Sequence, residues 1–249
     1  EHASAAKKRF AFEEVFLMQL WRAGQKEEIK RTAGIALTNI EKYKEEFLKL
    51  LPFSLTSAQQ IAIDDIIKDL KSGHPMNRLL EGDVGSGKTA VAACAAYIVA
   101  KNGMQAAYMA PTEILARQHF DTFSKVLGAA GIKIGLLTSS LSEKFPSKLS
   151  NEKSTHVSKA QLLKWVREGE FPILIGTHAL VEKTVEFKKL ALAMVDEQHR
   201  FGVSQRKKLS QKKVAMEVRL PGEVGLPPLL PHFLSMTATP IPRTLALTI

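Results

Sequence analysis

The stretch Gly82-Asp83-Val84-Gly85-Ser86-Gly87-Lys88-Thr89 has the spacing G-x-x-x-x-G-K-[ST]. Glycines at that spacing let successive backbone N–H groups converge on one anion. A helix beginning near Lys88 aims its positive end at the same point. Lys88 is placed to reach the β- and γ-phosphates of a nucleotide, and Thr89 to offer its hydroxyl to Mg2+. Far along the chain, Asp196 and Glu197 follow an apolar run at 190–195. A carboxylate at a strand end can hold Mg2+ through water, and its neighbour can orient and deprotonate an attacking water. Together the two groups imply hydrolysis of a nucleoside triphosphate. His199, next in line, could sense that hydrolysis and pass it to an adjoining segment by a hydrogen bond. The plainer readings are a glycine turn that binds nothing and a charged turn after a strand.

The surrounding pattern decides between them. Short apolar runs occur at 79–80, 106–110, 134–137, 173–175, 190–195 and 233–236. Helical patterns at 88–101, 113–130 and about 159–168 separate most of them. Strand and helix in alternation predict an α/β fold: a mainly parallel sheet with helices on both faces and right-handed crossovers. Ligands of such sheets sit at the carboxyl edge of the strands, where both groups fall. Ahead of this unit, Ile29, Ala33, Leu37, Ile40, Phe47, Leu48 and Leu51 recur at close to helical spacing. That predicts helix throughout 1–51, ended by Pro52. Thr56 or Ser57 then caps a second helix running to about Leu70. Residues 139–158 and 212–231 are poor in helix and strand signals and read as surface loops.

Composition sets outer bounds. The 249 residues carry a formal charge of +10 and a pI of about 9.6, which favours an anionic partner. Cys94 is the single cysteine, so an intrachain disulfide is excluded. The alanine-rich run 90–100 is too short to span a bilayer and reads as a buried helix. A polar N-terminus shows no signal peptide, and with a single cysteine the expected location is the cytoplasm.

D-E-x-H after an apolar strand resembles the second nucleotide-binding motif of superfamily 2 helicases and translocases. The longer string "DEQHRFGVSQR" is similar to the version in the RecG family of ATP-dependent DNA helicases. "LLEGDVGSGKTAVA", "MAPTEILARQHF", "ILIGTHALV" and "SMTATPIPRTLALT" resemble that family's first, Ia, Ib and third motifs. "LPFSLTSAQQIAI" resembles its lead-in to the motor, and "RFAFEEVFLMQL" its helical entry from a DNA-binding wedge domain. The resemblance implies a RecA-like lobe over 52–249 and a helical linker over 1–51. It implies that Gln59 reads the adenine edge with Phe53 as stacking neighbour. Pro111, Thr112 and Arg117 would lie along a nucleic-acid track, as would Gly176, Thr177 and His178. Thr237, Ala238 and Thr239 would couple nucleotide state to DNA opposite His199. Read alone, Thr112 and Thr177 are equally ordinary helix N-caps.

The expectation is therefore a fragment: the ATP-binding lobe of a motor whose wedge domain and second lobe lie outside the chain. The second lobe supplies an arginine finger, which contributes about 10³–10⁵ in rate in related chemistry. The isolated chain is expected to bind ATP weakly and hydrolyse it poorly. For the whole protein the resemblance implies a monomer that remodels branched and forked DNA, including stalled forks and Holliday junctions. An Mfd-like double-stranded DNA translocase of transcription-coupled repair is the alternative, and a non-enzymatic nucleotide-binding module a third reading.

Overall fold

A computed structural model describes residues 33–147, 153–197 and 229–238, with isolated helical positions between 9 and 24. Eight strands form one sheet in the order β1-β8-β7-β2-β6-β3-β4-β5. They are β1 (Asn77–Glu81), β2 (Gln105–Met109), β3 (Ile134–Leu137), β4 (Ser142–Phe145), β5 (Thr155–His156), β6 (Ile173–Gly176), β7 (Leu190–Val195) and β8 (His232–Thr237). The six from β1 to β3 in that order are parallel, and β4 and β5 extend the sheet antiparallel. The helices are α1 (Ile40–Leu50), α2 (Ser57–Lys71), α3 (Lys88–Lys101), α4 (Glu113–Leu127) and α5 (Lys159–Glu168).

Alternate residues of each strand feed opposite layers, as the pleat requires. Ala106, Tyr108 and Ala110 join Leu192, Met194, Leu234 and Met236 under α2, α3 and α4. Ala107 and Met109 join Ala193 and Val195 on the other face, under Leu162 and Val166 of α5. Every residue from Val91 to Val99 of α3 is buried. Its alanines are the consequence: a helix covered all round has room for little else. Burial pushes the Cys94 thiol up to about 12. Gln105 is a buried amide in the sheet interior. It donates to Val166 O and Phe171 O at 2.9 and 3.0 Å and accepts from Lys189 N at 2.9 Å.

Two expectations need correction. Residues 33–39 are not helical. Ile35 and Leu37 are buried while Ala36 and Thr38 are exposed, a period of two that overlaps the helical spacing next to it. Gly34 donates to Gly73 O at 2.8 Å and Leu37 to Leu70 O at 3.0 Å. Gly34 lies so close to the backbone that a Cβ there would stand 2.4 Å from His74 C. The helix starts at Ile40, after Asn39 in the left-handed region. The second correction is at 139–158, where β4 and β5 replace the expected loop. Glu143 occupies an inward position of β4, so the strand lacked an apolar signature. Burial raises its pKa, but bonds from Arg117 and Ser154 and the nearby charges of Arg117 and His156 outweigh it and hold the carboxyl low. Of the other expected loop, only 229–231 are described; there Leu230 forms a β-bridge with Gly34.

Candidate nucleotide and nucleic-acid site

The glycine loop leaves β1 and enters α3, as its spacing predicts. Gly85 and Gly87 both sit at φ 81°, a left-handed conformation that a side chain would strain. A Cβ on Gly82 would meet Ser86 Oγ at 2.7 Å, and one on Gly87 would meet Gln59 Nε2 at 2.2 Å. The concavity thus exists only because these positions lack side chains. Asp83, Val84 and Ser86 at its rim are exposed, Val84 by 89%. Lys88 Nζ lies inside the loop, donating to Gly82 O at 2.5 Å and Asp83 O at 2.9 Å. Thr89 follows in the first turn of α3.

Gln59 braces the loop from α2. Its side chain accepts from Thr56 N at 2.9 Å, half of a capping box, and donates to Ser86 O at 2.8 Å. One amide hydrogen and one oxygen lone pair stay available for a base edge. Phe53, on the turn before α2, is 52% exposed.

Asp196 follows β7 directly, at the same edge. Only β8 separates β7 from β1, so the acid and the glycine loop stand on the order of 10 Å apart across the sheet. Asp196 is buried; its Oδ1 accepts from Glu197 N at 3.0 Å, and its Oδ2 lies 3.0 Å from His119 Nε2. Glu197 has φ 50°, a left-handed backbone rare outside glycine and concentrated at functional sites. Gln198, His199 and Thr239 lie outside the described residues. Burial, then the charge of Asp196, raises the phenol pKa of Tyr108 well above its ordinary value.

Backbone bonds knit the neighbouring loops together beyond the strand ends. Gly82 donates to Thr237 O at 3.2 Å, Asp196 to Met109 O at 2.9 Å, Ala110 to Gly176 O at 2.8 Å and Thr177 to Leu137 O at 3.3 Å. The segments containing Pro111, Thr112, Gly176, Thr177, His178, Thr237 and Ala238 therefore share one edge with the glycine loop and Asp196. Thr112 caps α4, its hydroxyl accepting from Leu115 N at 3.3 Å. Thr177 does not cap the short turn after it; its hydroxyl is buried without a hydrogen-bond partner. His178 is exposed, whereas Gly176, Thr177 and Thr237 are buried. Arg117 points to Glu143 of β4 in a close ion pair with its side chain 36% exposed.

Sequence reasoning missed His119 as a site residue. The available signal was its position on α4, beside the buried stripe Ala116, Phe120 and Phe123, where an imidazole needs a reason.

The family model for DEAD/DEAH box helicases matches residues 56–248. The chain belongs to the DEAD/DEAH box helicase family. It is 46% identical over 242 residues to the ATP-dependent DNA helicase RecG of Aquifex aeolicus, covering 97% of this chain and 27% of that helicase. To RecG of Bacillus subtilis it is 44% identical, covering 100% and 33% respectively. The chain thus spans about a third or less of the length of these helicases. A solved structure of RecG bound to a three-way DNA junction superposes with a TM-score of 0.74 at 36% identity, over 99% of this chain and 29% of that one. The sheet and helices are those of a RecA-like helicase lobe, as expected.

Proposed function

We propose that this lobe is the ATP-binding half of a motor that remodels branched and forked DNA. The observation that carries it is a set of backbone bonds at one sheet edge: one joins the ends of β1 and β8, three join the ends of β7, β2, β6 and β3, and β7 pairs directly with β8. It makes the phosphate cradle, the acids and the strand-facing loops one connected edge. Similarity to part of RecG, over nearly all of this chain, supports this reading over that of a transcription-coupled repair translocase.

The residues divide the work by position. Backbone N–H groups of Gly85, Ser86 and Gly87 receive the phosphates, helped by the N-terminus of α3. Lys88 exchanges Gly82 O and Asp83 O for the β- and γ-phosphates. Gln59 takes the adenine edge with its spare amide groups, and Phe53 stacks on the base. Glu197 orients the attacking water and accepts its proton; Asp196 and Thr89 are the residues that would hold Mg2+. That ion offsets charge on the phosphates when bound. The donor set, a hydroxyl and one carboxylate, is of the hard oxygen type that magnesium takes. Mg2+ in such sites keeps several waters and shares phosphate oxygens. His199 relays hydrolysis to Thr237, Ala238 and Thr239. Pro111, Thr112, Gly176, Thr177 and His178 position a DNA strand through its backbone, and Arg117 adds its charge beside them.

Within the proposal, 1–51 links to a wedge domain, a second lobe completes the ATP site, and the protein acts as a monomer in the bacterial cytoplasm at the nucleoid. No helix among the described residues is long and apolar enough to cross a membrane. ATP turnover by the complete protein should rise more with forked than with linear DNA of equal length. Equal stimulation by the two would overturn the branched-DNA assignment.

A further inference from the structure

The carboxylate of Asp196 is held on both oxygens. Glu197 N reaches Oδ1 and His119 Nε2 reaches Oδ2, each at 3.0 Å. A carboxylate only accepts, so Nε2 carries the hydrogen. His119 is itself fixed: its ring packs on Tyr108 at 4.8 Å between centroids, and its side chain is 12% exposed. Thr112 caps the start of the same helix, seven residues earlier and about 10 Å along the axis. One rigid element therefore runs from the proposed DNA-facing loop to the acid at the nucleotide site.

We infer that His119 is a positioning residue, holding the Asp196 carboxylate in the orientation that receives magnesium nucleotide. This rests on the reading of Asp196 given above. Groups that orient a metal-side ligand by hydrogen bonding typically change metal affinity 10–100-fold when removed. Losing the His119 bond removes the ring N–H from Oδ2 and leaves only Glu197 N and the Tyr108 phenol to orient the carboxylate. Nucleotide binding that does not involve the ion, through the glycine loop and Lys88, is untouched.

The test uses the complete protein and a fluorescent ADP analogue, titrated in EDTA and across a range of Mg2+ concentrations. His119→Phe keeps the ring on Tyr108 and removes the donor. It should leave affinity in EDTA at the wild-type value and raise the Mg2+ concentration for half-maximal tightening by about tenfold. His119→Gln, which restores an N–H donor, should return that midpoint towards wild type. A midpoint for His119→Phe equal to wild type overturns the inference. If His119→Phe does not fold, His119→Met carries the same comparison. Asp196→Asn separates the two claims. If it abolishes the Mg2+ effect while His119→Phe does not, only the role of His119 fails. If Asp196→Asn keeps the full Mg2+ effect, the reading of Asp196 fails and this inference with it.

Discussion

Gln59 ties the start of α2 to the glycine loop: its side-chain amide donates to Ser86 O at 2.8 Å while its oxygen accepts from Thr56 N at 2.9 Å. The two bonds are separable. Gln59→Glu retains the acceptor for Thr56 N and loses the donor to Ser86. Its melting temperature should stay near wild type, while nucleotide affinity falls several-fold. Gln59→Ala loses both, and its stability should drop by about 1 kcal/mol as well. Thermal unfolding read beside a nucleotide titration checks the pair.

Glu197 holds φ 50° at the proposed catalytic position. Left-handed backbone at a non-glycine residue costs on the order of 1–3 kcal/mol, part of which glycine's greater chain entropy takes back. Glu197→Gly is therefore expected to unfold at a denaturant concentration equal to or above wild type. ATP turnover of the complete protein should fall at least a hundredfold. A variant both inactive and less stable would count against strain held for function.

His232 is buried with its tautomer fixed. Nδ1 accepts from Met76 N at 3.1 Å, so Nε2 carries the hydrogen and donates to Ile35 O at 2.7 Å. Burial lowers its pKa, although the Ile35 bond and Asp69 pull the other way. Above about pH 6.5 the imidazole is neutral in both folded and unfolded chains, and its contribution is whole. As pH falls below that, the unfolded chain takes up a proton that the folded one resists. Stability contributed by His232 is lost down to its folded pKa. Urea unfolding between pH 7.5 and 5 should show this slope, and His232→Asn should flatten it.

Cys94 offers a chemical check on the core. With its thiol pushed up to about 12 and its side chain buried in α3, it should resist a disulfide reagent at pH 8 in the folded protein. It should react at once in denaturant. Rapid modification under native conditions would contradict the placement of α3.

Much of this architecture was legible because local and global signals agree. The glycine loop lies between a strand and a helix, and the acids follow a fully apolar strand. Thr56 with Gln59 spells a capping box, although the second bond of Gln59, to Ser86, is a tertiary event that no local pattern encodes. The misreadings share a cause. At 33–39, Ile35 and Leu37 alternate, but Ala33, Leu37 and Ile40 also satisfy helical spacing, and only the close approach of Gly34 to His74 and Pro75 decides. In β4 an inward Glu143 is tolerated through Arg117, 26 positions earlier in the chain, so the strand resembles a loop. His119 was visible only as a polar residue on a buried helical stripe; its partner Asp196 is 77 positions away.

The most direct test of the central claim is binding of a non-hydrolysable ATP analogue with Mg2+ to the complete protein and to its Lys88→Ala variant, by calorimetry. The wild type should bind one equivalent, and Lys88→Ala should weaken binding by about a hundredfold or more, the loss of a charged hydrogen bond to phosphate. Equal affinity in the two would show that the triphosphate does not lie in the glycine loop, and the account would fail.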